Sequence, residues 1–198
     1  VHLMSSFWLG NFRDFAIFTL GASALGTGVI GMGFGILLHF PIATTRKEKT
    51  NIEDSPWVTV KRILMFAVIW TLYEWCKSNG FLAYPWGTIL MTAYRWTLLI
   101  QIVSITGVWG LTFLYALFSA VVGEGIALIP LSHTEKDKNY FISYKCCGVF
   151  CIILFCISFC YGLFEYKKER IPIKKMETVI VQQNLDPWGS SDEEVIGI

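Results

Sequence analysis

Apolar and polar positions alternate along this chain in long blocks, with four apolar stretches separated by short polar ones. The first runs from Phe15 to Thr45 without an Asp, Glu, Lys or Arg, about 31 residues where roughly 20 cross a bilayer. That length predicts a helix over about 15–41 that tilts, kinks or leaves the membrane early, with Pro41 as its exit. Gly21, Gly26, Gly28, Gly31, Gly33 and Gly35 lie inside it. In lipid, small residues let neighbouring backbones approach, and Gly31 and Gly35 have the GxxxG spacing. A phosphate-binding glycine loop does not fit, because no strand precedes these glycines and no Lys-Ser/Thr closes them. His39 reads as an interfacial side chain.

A charged connection, Ala43 to Trp57, ends the first stretch, and Ser55-Pro56 has the form of a helix start, with a capping serine and proline at the first helical position. A second helix over about 58–76 follows, with Lys61 and Arg62 near its start and Glu74 near its end. A third span fits 98–122, with Gly107 and Gly110 as close-packing points. After a polar connection from His133 to Tyr144, a fourth fits 146–164, about 19 uncharged residues and just long enough. The fold class is therefore mainly α, a polytopic membrane bundle of about four spans occupying 1–170. The remainder, 171–198, changes character at Ile171-Pro172. Met176 to Val181 is a short β-branched run that reads as a buried strand, ended by Gln182, Gln183 and Asn184. Asp186, Pro187 and Gly189 are turn residues, and Ser190 or Ser191 can cap a helix with an acidic first turn. A strand followed by a helix opens an α/β domain that these residues do not complete.

Composition agrees with the pattern. At 54% hydrophobic and 16% charged, with a mean hydropathy of +0.53, the chain is an integral membrane protein. A net charge of +1 gives no basic face for nucleic acid. No signal peptide is visible; Val1 stands where an initiator Met would, and the chain stops at SDEEVIGI, so it reads as a fragment of something longer. Cations set the orientation. Arg46, Lys47, Lys49, Lys61 and Arg62 flank the first connection and Lys136, Lys138 and Lys145 the third, whereas the second has only Lys77 and Arg95. The first and third connections are predicted cytoplasmic and the second outside, which puts the C-terminal tail outside too. Lys167, Lys168, Arg170, Lys174 and Lys175 strain that rule, but a large following domain is exported despite its charges.

Candidate chemistry gathers between Tyr73 and Gly110. An apolar segment ends in a carboxylate and a cation, Glu74 and Lys77, then crosses an uncharged aromatic loop containing Phe81, Tyr84 and Trp86. Trp and Tyr concentrate where hydrocarbon meets headgroups, and ionisable groups near a membrane core often mark function. The bland alternative is an aromatic anchor belt beside a snorkelling Lys77. Glu74 and Lys77 share a helix face, so a structural ion pair is equally open. Five of the six cysteines, Cys146, Cys147, Cys151, Cys156 and Cys160, sit in the fourth span. With no CxxC pair and no His nearby they read as small hydrophobes, and neither metal nor cofactor is expected.

The ordered set of YEWCKSNGFLAYPWG, ITGVWGLTFL and VIVQQNLDPW resembles the apolipoprotein N-acyltransferase family of the bacterial inner membrane. The matching positions are Glu74, Trp75 and Lys77 at a helix end; Gly80, Phe81, Pro85 and Trp86 in the loop; Gly107, Val108, Gly110, Thr112, Phe113 and Leu114 in a helix; and Val179, Val181, Gln182 and Asn184 in a strand. Leu82, Ala83 and Tyr84 are extra residues in the loop. The resemblance covers roughly 60 to 188. It implies a membrane bundle carrying a nitrilase-like α/β domain on the periplasmic side. Its reaction moves an acyl chain from a phospholipid donor to the N-terminal diacylglyceryl-cysteine of an apolipoprotein acceptor, through an acyl-thioester on the enzyme. The Glu, Lys and Cys of that chemistry are implied to lie beyond Ile198, so these residues alone are expected to be inactive. Glu193 and Glu194 belong to a solvated turn, and the intramembrane cysteines are no substitute, because hydrocarbon disfavours a thiolate. By the same resemblance Trp188 helps receive lipid; the residue types themselves make Trp86 and Tyr84 candidates to line the entry for acyl chains, Arg95 to attract a phosphate on the outer face, and Glu74 and Lys77 to contact each other or a headgroup. The rival readings are a small multispanning transporter or structural membrane protein with Glu74 on a proton or substrate path, and a membrane-anchored nitrilase acting on a soluble amide.

Overall fold

A computed structural model of the chain describes residues 16–48, 57–80, 83, 85–128, 138–169 and 176–180. These form two compact units, Val1–Lys167 and Lys168–Ile198. In the first, the elements run α1 (Ala16–Glu48), α2 (Trp57–Ser78), a 3₁₀ helix (Ile89–Arg95), α3 (Thr97–Ile100), α4 (Val103–Leu128) and α5 (Lys138–Lys167). The protein is mainly α, a membrane-type bundle. Three stretches among the described residues are long and apolar enough to cross a membrane: Leu20–His39 in α1, Val103–Ala127 in α4 and Phe141–Lys167 in α5. α2 is not among them, because Lys61, Arg62, Glu74 and Lys77 dilute its apolar run.

α2 is the hub, packed against α1, α4 and α5. One core joins Ile63 and Ala67 of α2 to Ala116, Leu117 and Val121 of α4 and Cys147 and Cys151 of α5. A second places Ala93 of the 3₁₀ helix against Leu111 and Leu114 of α4. Small residues at these contacts let the helices approach, as lipid-embedded bundles require in place of a hydrophobic driving force. The distribution is inverted relative to a water-soluble domain. Thr59, Thr112, Ser143, Ser158, Glu74 and Lys77 are buried, while Ile152, Ile157 and Phe164 point outward. Thr112 and Ser158 satisfy their hydroxyls on the carbonyls of Val108 and Leu154 one turn back, at 3.0 and 2.8 Å. α1 leans on α2 through Phe34, whose ring meets Tyr73 edge-on at 5.7 Å, and through Gly31, where a Cβ would lie 3.9 Å from the Tyr73 ring.

Several expectations change in detail. α1 continues past Pro41 to Glu48, since one missing N–H removes a single rung, whereas the part apolar enough to cross a membrane ends at His39, just before the proline. Of the GxxxG pair, only Gly31 meets a neighbour, and a Cβ on Gly35 would meet nothing within 4 Å. The third apolar helix begins at Val103 instead of 98, because the chain first makes the separate turn Thr97–Ile100. Gly107 is a break and not a packing point; at φ 67 and ψ 178 it takes a conformation almost reserved for glycine. The fourth helix is longer than 146–164, running Lys138–Lys167. The strand expected over 176–181 is not formed in its described part. Residues 176–180 carry no regular structure and Val179 and Ile180 are 90% and 92% exposed, as befits a β-type segment with no neighbouring strand among the described residues to complete its ladder. Ser55, Pro56 and residues 181–198 lie outside the described residues.

Candidate functional site at the end of α2

The last two turns of α2 build the site. Positions 70, 74 and 78 share one stripe and 73 and 77 the next, so the helix period alone sets Tyr73, Glu74 and Lys77 side by side. Lys77 in the final turn also complements the negative end of the helix dipole. Both ionic side chains turn inward: Glu74 is 3% and Lys77 7% exposed. Lys77 Nζ donates to Glu74 Oε1 at 3.3 Å and to the carbonyl of Gly87 at 3.4 Å, and stands 5.6 Å above the centre of the Tyr73 ring. A buried charge so placed is neutralised by its partner and cradled by carbonyl and ring, which together offset the cost of leaving water. The snorkelling alternative for Lys77 is therefore not what the fold adopts. Glu74 Oε2, Trp70 Nε1 and Ser78 Oγ are buried without a hydrogen-bond partner, so one face of this stripe keeps unused polar capacity.

The loop after α2 is shaped by glycines. Asn79 donates its side-chain amide to the Trp75 carbonyl at 2.7 Å, and Gly80, at φ 91, ends the helix in the left-handed region. Ala83 N–H then returns to the Gly80 carbonyl at 3.1 Å. Gly87 takes φ 69, and its carbonyl is the one that Lys77 holds. The ion pair thus fastens the far side of the loop to the helix that launches it.

Aromatic residues precede and follow this fastening along the chain. Trp75, Trp86, Tyr94 and Trp96 are all exposed, Trp86 by 57%. Arg95, at the end of the 3₁₀ helix, is exposed; its Nε donates to Tyr94 Oη at 2.6 Å and its guanidinium lies 5.3 Å above the Tyr94 ring. Of the residues singled out from sequence, Glu74 and Lys77 come together, Trp86 and Arg95 lie on the exposed loop and 3₁₀ helix that follow, and Tyr84 and Trp188 fall outside the described residues. Sequence reasoning missed the Gly87 carbonyl, which has no side-chain signal. It also passed over Tyr94 and Trp96, although their spacing around Arg95 is visible. Among the described residues, no three His, Cys, Asp or Glu side chains gather as a metal site, and the six cysteines are free thiols.

Two further contacts hold the scaffold. Arg62 and Glu124 form an ion pair between α2 and α4, with Arg62 Nε 3.1 Å from Glu124 Oε2. The hydroxyls of Ser104 and Tyr161 meet at 2.8 Å and tie α4 to α5.

Comparison with known proteins bears on this arrangement. Residues 1–121 match the family described as the apolipoprotein N-acyltransferase N-terminal domain. Apolipoprotein N-acyltransferase 2 of Treponema denticola is 44% identical over 98% of this chain and 35% of its own length. The protein of the same name in Treponema pallidum is 39% identical over 98% of this chain and 31% of its own. Apolipoprotein N-acyltransferase of Borreliella burgdorferi is 26% identical over 93% and 32%. The chain thus spans about a third of the length of these relatives. No solved structure matches.

Proposed function

Since the chain belongs to the apolipoprotein N-acyltransferase family, we propose that it is the membrane-bundle part of a phospholipid:apolipoprotein N-acyltransferase. The reaction has two halves. A cysteine thiolate attacks an acyl ester of a phospholipid, forming an acyl-thioester and releasing the lysophospholipid. The amine of the acceptor's diacylglyceryl-cysteine then attacks the thioester, forming an amide and freeing the thiol, with a carboxylate moving the protons and a lysine steadying the oxyanion. Those three groups belong to a nitrilase-like domain following Ile198, and the bundle does not perform acyl transfer by itself. The relatives favour this reading over the small transporter and the soluble-amide nitrilase.

The role of this part is to present lipid to that domain. The observation that carries it is the buried Glu74–Lys77 pair joined to Gly87, which holds an exposed aromatic loop at the end of α2. Trp86, with Tyr84, lines the path of the acyl chain, and Trp188 receives it. Arg95 draws a lipid phosphate, having committed one of its five N–H groups to Tyr94. Glu74 and Lys77 act one step back, placing the loop. The distribution of Lys and Arg supports an inner-membrane location, with loop and C-terminal domain together on the periplasmic side. This requires α2 to cross as well, with Glu74 and Lys77 buried in the bundle and Arg62 paired with Glu124 of α4. In the full-length protein, Trp86→Ala is expected to lower kcat/KM for the phospholipid by roughly tenfold, about 1.4 kcal/mol of lost contact, without reducing thermal stability. Unchanged kinetics remove the loop from the lipid path.

A further inference from the structure

The 3₁₀ helix Ile89–Arg95 turns by about 120° at each residue. Ala93 is fully buried against Leu111 and Leu114 of α4, so the next two positions both leave the core, one to each flank of the helix. Tyr94 is 65% exposed and Arg95 is exposed beside it. The helix stops immediately afterwards, where Trp96, at φ −94 and ψ 64, returns its N–H to the Ala93 carbonyl at 2.8 Å. A buried alanine and a sharp helix end thus fix the backbone beneath the pair while both side chains stay outside.

The pair in turn fixes the guanidinium. Arg95 Nε donates to Tyr94 Oη at 2.6 Å, and the guanidinium carbon stands 5.3 Å from the centre of the Tyr94 ring. A guanidinium can grip an anion with two parallel N–H groups in two ways, by the side that includes Nε or by the end formed by its two Nη atoms. Tyr94 occupies the first, which leaves the second. Holding the long side chain beforehand also removes part of the freedom that it would otherwise lose on binding. We infer that Tyr94 is the positioning residue for Arg95, holding the guanidinium so that its two Nη groups meet the phosphodiester of the phospholipid end-on. The inference rests on the reading of Arg95 as the group that draws the lipid phosphate, and adds the residue that aims it. Tyr94 acts through Arg95 and makes no contact of its own with the phosphate.

The test is a double-substitution cycle in the full-length protein, with phosphatidylethanolamine in mixed micelles as acyl donor and a synthetic diacylglyceryl lipopeptide as acceptor. Arg95→Gln is expected to raise KM for the donor about tenfold. Tyr94→Phe, which keeps the ring and loses only Oη, is expected to raise it about fivefold, with kcat within about twofold of wild type and KM for the acceptor unchanged. The double variant Y94F/R95Q is expected to be no worse than Arg95→Gln alone, because Tyr94 then has nothing to aim. A double variant whose donor KM rises by the product of the single effects, about fiftyfold, overturns the inference, since Tyr94 would be acting on its own. A wild-type donor KM in Tyr94→Phe beside an impaired Arg95→Gln also overturns it, and leaves Arg95 meeting the phosphate unaided. If neither single variant changes the donor KM, the phosphate-binding reading of Arg95 falls and the inference falls with it. Unfolding midpoints are followed in parallel. Tyr94→Phe is expected to match wild type; a lowered midpoint with kcat and both KM values impaired together would make the Tyr94 bond structural only, and overturns the inference.

Discussion

Lys77 reaches ten residues ahead to the carbonyl of Gly87 while its charge is met by Glu74 one helical turn behind. A helix end, a buried ion pair and a loop are thereby one mechanical unit. The ion pair is not a surface ornament of the kind that contributes little, because both side chains are almost fully enclosed.

Removing one partner should therefore be worse than removing both. Lys77→Met or Glu74→Leu alone strands a buried charge and is expected to destabilise the bundle by about 3–5 kcal/mol. The double substitution recovers most of that loss but leaves Gly87 unfastened. Thermal unfolding in detergent reads the first effect. Limited proteolysis between residues 79 and 88 reads the second, and should stay faster than wild type in the double variant even though its unfolding midpoint recovers.

Gly87 and Gly107 test backbone conformation without touching charge. Alanine at either must adopt a left-handed φ, at a cost of about 1–3 kcal/mol, although a Cβ has open space at both. Gly33→Ala, where the helix is regular and the space equally open, should be neutral or stabilising by up to about 1 kcal/mol. Unfolding midpoints that fail to separate Gly87 and Gly107 from Gly33 would contradict the conformational account.

Gly162 is a different case, since its limit is a neighbour. A Cβ there would run into the backbone carbonyl of Leu98, which cannot rotate away as a side chain can. Gly162→Ala should push α5 from α3 and cost about 1–3 kcal/mol, whereas Gly148→Ala, facing only Val121 at 4.0 Å, should be tolerated. Helix separation measured by spin labels across the α3 to α5 contact would report the displacement directly.

The Arg62–Glu124 pair gives a double-mutant cycle between α2 and α4. Its coupling is expected at about 0.5–3 kcal/mol, because both groups are partly enclosed and multiply bonded. A coupling near zero would assign the α2 to α4 contact to Ile63, Ala67, Ala116 and Leu117 alone.

How far the sequence could be read follows from which signals side chains carry. Uninterrupted apolar runs announced α1, α4 and α5, and the Glu74/Lys77 spacing announced a shared helix face. Hydropathy has no means of registering a backbone event. Gly107 looks like any small packing residue until its φ is known, and Pro41 looks like a terminus although the surrounding ladder carries the helix past it. The Gly87 carbonyl and the Leu98 carbonyl are main-chain partners, invisible in residue type. The β-branched run at 176–180 states a propensity, but a strand exists only with a partner to bond.

The central claim is that the aromatic loop and the chain after α5 share one side of the membrane, opposite the connection between α4 and α5. In full-length protein with its native cysteines replaced, single cysteines at Trp86, Glu177 and Lys136 can be probed with a membrane-impermeant maleimide in cells whose outer membrane alone is opened. Labelling at 86 and 177 without permeabilising the inner membrane, and at 136 only after it, is the predicted result. Labelling at 136 from outside, with 86 protected, would invert the bundle and contradict the account.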